Sequence, residues 1–419
     1  MNIFLANSFL TVSIFSIVRL YASLYLASYF FPSDYGVIAI PIAFFALIEV
    51  FIDGGYSSAI INKNITKSEL RILLYSRIKF ILIISLIGLS SLFFLNYAYL
   101  QNKVPYLIIP FVLINSVFKG ITFYYESRLI ANHKFIFCET ASFVSTVIAF
   151  GFTIMLINLI DLNGYLFLVI NLLAQQIIYG FILIYRENFL ELNLDRDFQK
   201  DEISFQKYKN DVLKAAIIDQ FRSRIDEVII AVYFTISNIG AYYKIKEIAI
   251  TLSGFGSKAI SRPWFYASSI SSNSKTLIYW AAFSLICLVL LPLSFNIFNS
   301  LINFFIIDFM GENWVLLKKY TKFIYVLAFL YFYYSFNKST MLGLGFSNFV
   351  LLGEIISLIS RLFTYLLYLF IFVNRFPLSI ETIFQIEILV WTMTIIIQFI
   401  FLVYIIFIEI SKKNKSIGL

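Results

Sequence analysis

Six basic residues, Arg19, Lys119, Arg222, Arg224, Lys244 and Arg361, stand inside stretches that are otherwise apolar. An arginine guanidinium offers a planar fork of donors that fits phosphate oxygens, and lysine supplies a point charge. Together they suit an anion. Four carboxylates in similar settings, Glu49, Asp53, Asp219 and Asp226, are candidates to take up a proton or a sodium ion. Other chemistries lack their residues. One histidine (His133) and two scattered cysteines (Cys138 and Cys287) leave no ligand set for a zinc site. No GxxxxGK[ST], GxGxxG or GxSxG pattern occurs, so neither a cofactor nor an enzymatic activity is expected.

The charges fall in stripes at helical spacing: Ser16, Arg19 and Ser23; Asn115, Lys119, Thr122 and Glu126; Asp219, Arg222, Ser223 and Asp226; Gly240, Lys244, Glu247, Thr251, Gly254 and Lys258; Glu354, Ser357 and Arg361. Steps of three and four place each set on one helix face. Arg222 with Asp226, and Lys244 with Glu247, are within pairing reach along their own helices, so neutralisation and a site role both stand open. Arg224 points away from Arg222 and toward a neighbouring helix. Arg19, Lys119 and Arg361 have no acidic residue three or four positions away, and each is near the middle of its apolar run. These three are expected to be unpaired and to line a polar cavity, because a charge at mid-membrane costs about 2.5–3.5 kcal/mol on the insertion scale. Glu49 and Asp53, one turn apart, read either as an ion site or as a solvated helix end.

The elements that carry these residues are membrane helices. Of the 419 residues, 60% are hydrophobic and 13% are charged, about half the charged fraction of a soluble domain, roughly 25%. Apolar runs of about twenty residues separate the charge clusters, the length that spans a hydrocarbon core of about 30 Å. The pattern predicts twelve spans, near 8–30, 36–54, 79–98, 105–126, 136–159, 164–185, 213–235, 239–261, 276–300, 319–339, 348–373 and 385–409. The first has no basic n-region or small-residue cleavage motif, so it reads as a retained helix. With the N-terminus in the cytoplasm, the cytoplasmic segments hold twenty Lys and Arg. The opposite face holds four: Lys103, Lys318, Lys319 and Arg375. This asymmetry places both termini inside, and it accounts for the net charge of +8 without a nucleic-acid partner.

The longest hydrophilic stretch, Arg186–Asn210, divides the spans into two sets of six: an N-terminal lobe over 1–185, a cytoplasmic linker over 186–212 and a C-terminal lobe over 213–419. A shift of 204 residues lays ASYFFPSDYG (27–36) over AVYFTISNIG (231–240), with Ala27, Tyr29, Phe30, Ser33 and Gly36 recurring as Ala231, Tyr233, Phe234, Ser237 and Gly240. Six helices per half make the repeats parallel, an arrangement in which transporters hold substrate between the bundles.

The run FFPSDYGVIAI (30–40) with FIDGGYSSAIINK (51–63), the segment ESRLIANHKFIF (126–137) and the stretch RIDEVIIAVYFTISNIGAYYKIKEIA (224–249) resemble bacterial polysaccharide transporters of the O-antigen flippase type. The resemblance implies the multidrug/oligosaccharidyl-lipid/polysaccharide exporter superfamily and a V-shaped pair of six-helix lobes. It implies flipping of undecaprenyl-pyrophosphate-linked oligosaccharide from the cytoplasmic to the periplasmic leaflet of the bacterial inner membrane. It also implies a basic-lumen role for Arg19, Lys119, Arg222, Arg224 and Arg361, a polymerase and a chain-length regulator as pathway partners, and a monomer. Two alternatives are a multidrug or cation exporter of the same superfamily, which would favour an acidic lumen, and a membrane polymerase or ligase, which would need a large periplasmic loop.

Overall fold

The computed structural model describes residues 2–63, 67–132, 134–189, 202–256, 273–344, 346–367 and 379–417. His133, most of the expected linker, Lys258 and Arg375 lie outside the described residues. Among the described residues there are twelve long α-helices and no strand. They are α1 Asn2–Ala27, α2 Pro32–Asp53, α3 Lys67–Ala98, α4 Ile108–Ala131, α5 Phe135–Leu159, α6 Gly164–Phe189, α7 Glu202–Tyr233, α8 Ile236–Gly256, α9 Asn273–Met310, α10 Thr321–Gly343, α11 Ser347–Leu367 and α12 Ile380–Ile417. A short helix, Tyr56–Lys63, follows α2, and a 3₁₀ segment, Glu312–Tyr320, precedes α10. Each expected span falls on one of the twelve.

Seven of them, α2 to α6 with α11 and α12, are long and apolar enough to cross a membrane by length and composition. The protein is a multi-pass membrane protein. On α3 the apolar side chains face outward, with Leu82, Ile83, Leu86, Ile87 and Phe94 all more than half exposed. Such a surface in water would be an aggregation site; in lipid it costs nothing.

By contact density the chain divides into two compact units, Tyr21–Tyr243 and Met1–Leu20 together with Lys244–Leu419. Both α1 and α8 therefore cross the division, which runs elsewhere than the sequence boundary at 186–212. In the first unit α2 is the central helix, packed against α3, α4, α6 and α7. Phe31 precedes it, Pro32 occupies its first turn, where a missing N–H costs nothing, and Asp34 reaches back to accept from the Phe31 N–H at 3.0 Å. It ends at Gly54, whose φ of 61° is the left-handed conformation that releases a helix. In the second unit α9 to α12 pack together around Trp280, Phe336, Met341, Leu344 and Leu402. There the Trp280 indole N–H donates to Asn337 at 2.9 Å.

Long-range polar contacts fix which loops share an end. Lys103, between α3 and α4, donates to the carbonyls of Ala231, Val232 and Phe234 at 2.7, 3.2 and 2.9 Å, capping the C-terminal end of α7. The loop after α3 and the turn after α7 thus lie together, as even spacing of the crossings requires. Burial of the ammonium lowers its pKa from the ordinary lysine value. Lys103→Gln is expected to lower thermal stability by about 1 kcal/mol, the sum of a lost cap and a lost charge at a helix C-terminus; a melting curve in detergent checks it.

At the other end of the first unit Arg77 donates to the carbonyls of Phe51 and Ile52 at 3.0 and 3.3 Å. Its guanidinium lies 4.1 Å over the Phe80 ring. The buried pair Arg128–Glu187 joins α4 to α6 at that same end.

Candidate functional site

The structure supplies carboxylates to basic residues that were expected to stand alone. Lys119 on α4 pairs with Glu49 on α2 at 2.7 Å, with the lysine side chain 41% exposed and the glutamate 12%. Arg361 on α11 lies 3.8 Å from Glu387 on α12, and both are 1% exposed. The expectation of unpaired charge is therefore corrected for these two. Their partners lie on other helices, beyond the three- and four-residue neighbours that a sequence stripe reveals. Arg19, on α1, is half-buried.

On α7 Arg222 is buried and pairs with Asp219 at 2.5 Å. Asp226 accepts a hydrogen bond from the Tyr242 hydroxyl of α8. Arg224 grips both oxygens of Glu227 at 2.9 Å, along its own helix instead of across to a neighbour. Lys244 pairs with Glu247 at 3.1 Å as its spacing allows, the lysine fully buried and the glutamate 32% exposed.

Asp53 has a local duty. One carboxylate oxygen accepts from the Gly55 N–H at 3.1 Å, the other from the Ser57 N–H at 3.1 Å and from the Ser57 hydroxyl. This is the cap of the short helix Tyr56–Lys63, and it satisfies N–H groups that a helix start leaves open. Of the carboxylate pair read from sequence, Glu49 faces the basic residue and Asp53 holds a turn.

One carboxylate, Glu387, was missed, and Glu354 was read only as part of the α11 stripe. Glu387 is the hub of a buried network: the Tyr331 hydroxyl donates to it at 2.7 Å and the Trp391 indole at 3.4 Å, with Lys246 at 4.0 Å and Arg361 at 3.8 Å. Glu354 is bound by Lys338 at 3.0 Å and by the Tyr334 hydroxyl. Trp391 packs edge-on against Tyr331 and Tyr334, both at 4.9 Å. Glu387, a single glutamate in an apolar run, gives no stripe, so only its position inside a span was available as a signal. The network carries three cations, Lys246, Lys338 and Arg361, against two carboxylates.

Beside Lys119, α4 continues the polar face. Gln176 of α6 donates to the Thr122 hydroxyl at 2.6 Å, and Gln175 donates to Thr146 of α5 at 2.8 Å. Amides and hydroxyls bonded across helices keep this region polar and fixed without further charge. Lys119 thus combines an exposed ammonium with a carboxylate partner on another helix.

A third feature is the turn pair that the 204-residue repeat marks. The Cα of Gly36 lies so near α8 that a Cβ there would be 1.9 Å from the Ile236 carbonyl oxygen. A Cβ at Gly240 would be 1.6 Å from the Pro32 carbonyl oxygen. Shifting each partner by 204 residues turns one contact into the other, so the two repeats meet here as a reciprocal pair.

Twelve helices of this kind, with charge held inside them, define a membrane protein with the fold of the multidrug/oligosaccharidyl-lipid/polysaccharide exporter (MOP) superfamily. A structure described as the lipid II flippase MurJ in an inward closed conformation superposes with a TM-score of 0.67 at 14% identity, covering 94% of this chain and 86% of that one. An inward-facing multidrug resistance MATE family transporter gives 0.56 at 11% identity, covering 98% and 99%. A MOP superfamily transporter from Pyrococcus furiosus gives 0.55 at 13% identity, covering 96% and 92%. The family follows from the sequence itself: the polysaccharide biosynthesis protein family matches residues 25–318, well over half of the chain, and the protein belongs to it. No curated protein matches the sequence.

Proposed function

We propose that this protein is a flippase. Its cargo is an undecaprenyl-pyrophosphate-linked oligosaccharide, an O-antigen repeat unit, and it moves this from the cytoplasmic to the periplasmic leaflet of the bacterial inner membrane by alternating access. In this reading residues 1–185 and 213–419 work as two six-helix lobes joined by 186–212, both termini are cytoplasmic, and the protein is a monomer without enzymatic activity. Its product passes to a polymerase and a chain-length regulator.

The observation that carries the reading is the accessible ammonium of Lys119, held by Glu49 inside a membrane helix of a polysaccharide biosynthesis protein. A pyrophosphate brings more negative charge than one carboxylate, so it can displace Glu49 from Lys119. The released carboxylate is then the group placed to take up the exchanged ion. Arg19, Arg222, Arg224, Lys244 and Arg361 extend the cationic character, with Asp219 and Asp226 as further candidates for coupling.

A charge-assisted hydrogen bond contributes about 1.5–3 kcal/mol, a tenfold to hundredfold change in substrate affinity. Lys119→Ala and Arg19→Ala are accordingly expected to abolish or strongly reduce surface polysaccharide at normal membrane levels, with Lys119→Arg retaining it. Normal polymer from both well-inserted alanine variants would overturn the assignment.

A further inference from the structure

Two tyrosines of α1, Tyr21 and Tyr25, and Tyr29 in the turn after it form a ladder. Tyr21 and Tyr25 stack with ring centroids 6.0 Å apart, and Tyr25 and Tyr29 meet edge-on at 5.5 Å with their hydroxyls 3.1 Å apart. Spacing of four places all three on one face. Phe150 of α5 fixes Tyr25 from the side at 5.9 Å. Tyr21 and Tyr29 nevertheless keep 46% and 41% of their surface open.

The ladder ends in a pocket. A pocket of about 420 Å³ lies between the α1–α2 turn and the α5–α6 loop, open to one side, with Tyr29, Phe31, Asn158 and Asp161 among its walls. Phe31 is 58% exposed. Asp34, also in the wall, is already engaged by the Phe31 N–H, whereas Asp161 and Asn158 are exposed side chains at the rim.

A sugar ring has an apolar face of C–H bonds and an edge of hydroxyls. Aromatic faces take the first, and carboxylate and amide oxygens take the second. Tyrosine suits both, since its ring is apolar and its hydroxyl can exchange hydrogen bonds. An aromatic belt is the ordinary alternative for tyrosines near a membrane boundary, and it sits at headgroup level. This ladder instead runs from Tyr29 in the turn back along α1 to Tyr21, and its neighbouring rings pack on one another. A run of open rings that also carries hydroxyls offers polar cargo an apolar face and hydrogen-bonding groups together.

We infer that the Tyr21–Tyr25–Tyr29 ladder and the pocket at its end are a glycan subsite, the rings guiding sugar faces and Asp161 with Asn158 receiving their hydroxyls. The inference rests on the flippase reading for its ligand class, and it places the oligosaccharide, not the pyrophosphate, on these residues. Passage then needs two recognitions, one of phosphate charge near Lys119 and one of sugar here.

The test is binding, not transport. The free repeat-unit oligosaccharide, released by mild acid from the native organism's surface polysaccharide, is added to the protein in lipid nanodiscs, and saturation transfer from protein to sugar protons is measured by NMR. Transfer is expected with the unaltered protein and with Tyr25→Phe, and about tenfold weaker binding with Tyr25→Leu plus Tyr29→Leu. Lys119→Ala, which tests the flippase reading, is expected to leave this sugar binding unchanged. No transfer to the unaltered protein, or equal transfer to the double leucine variant, overturns the subsite. Polymer made normally by Lys119→Ala overturns the charge assignment and leaves this binding result standing.

Discussion

Gly240→Ala is expected to destabilise the protein by about 1–3 kcal/mol or more, the usual cost of forcing atoms into a filled space. The added methyl would come within 1.6 Å of the Pro32 carbonyl oxygen and 2.7 Å of the Gly36 nitrogen. Both are backbone atoms, so no side-chain rotation relieves the collision and the two helix starts must separate. Removing a helical glycine ordinarily gains about 0.5–1 kcal/mol, and here the collision outweighs that gain. Gly36→Ala meets the reciprocal obstacle at 1.9 Å from the Ile236 carbonyl oxygen. The double variant is expected to cost less than the sum, because the first methyl already parts the contact that the second would strike. Gly151, with nothing within 4 Å of its added methyl, serves as the control and is expected to tolerate alanine. Thermal unfolding of the four variants in one detergent reads all of this; a Gly240→Ala protein that melts with the unaltered one would refute the contact.

Glu387→Ala is the second large effect, at about 3–5 kcal/mol, the cost of removing one partner of a buried ion pair. The substitution removes the carboxylate that Arg361 faces at 3.8 Å and Lys246 at 4.0 Å, and with it the acceptor of the Tyr331 hydroxyl. Arg361→Met is expected to cost less, since Lys246, Tyr331 and Trp391 continue to satisfy the carboxylate. Combining Glu387→Gln with Arg361→Met is expected to recover part of the loss, because the neutral amide no longer needs the Arg361 charge, while Lys246 still loses the carboxylate. A double-mutant cycle on melting temperature measures the coupling. Additive losses would show that the two side chains do not interact.

Both effects concern features that the sequence announced unequally. The glycines were legible, since the repeat of ASYFFPSDYG as AVYFTISNIG marks Gly36 and Gly240 as equivalent. Their contact was not, because a repeat says which residues correspond and nothing about which ones touch. Lys119 was legible as a charge in a span, and Asp53 as a carboxylate near a helix end. The partner of the first and the capping duty of the second were not, because Glu49 lies seventy residues from Lys119 in sequence, and the donors to Asp53 are mostly backbone N–H groups that every sequence contains. Glu387 left no pattern at all.

By itself the sequence determined the twelve long helices, because the length of an apolar run sets a membrane helix. The family match over 25–318 agrees with the family that the short motifs resembled. Tertiary structure alone decided the pairing of charges between helices, such as Lys119 with Glu49 and Arg361 with Glu387. In a low-dielectric interior an ion pair is decided by distances of 3 to 4 Å between helices, and helix-to-helix register is a property of packing that no single stretch of sequence contains.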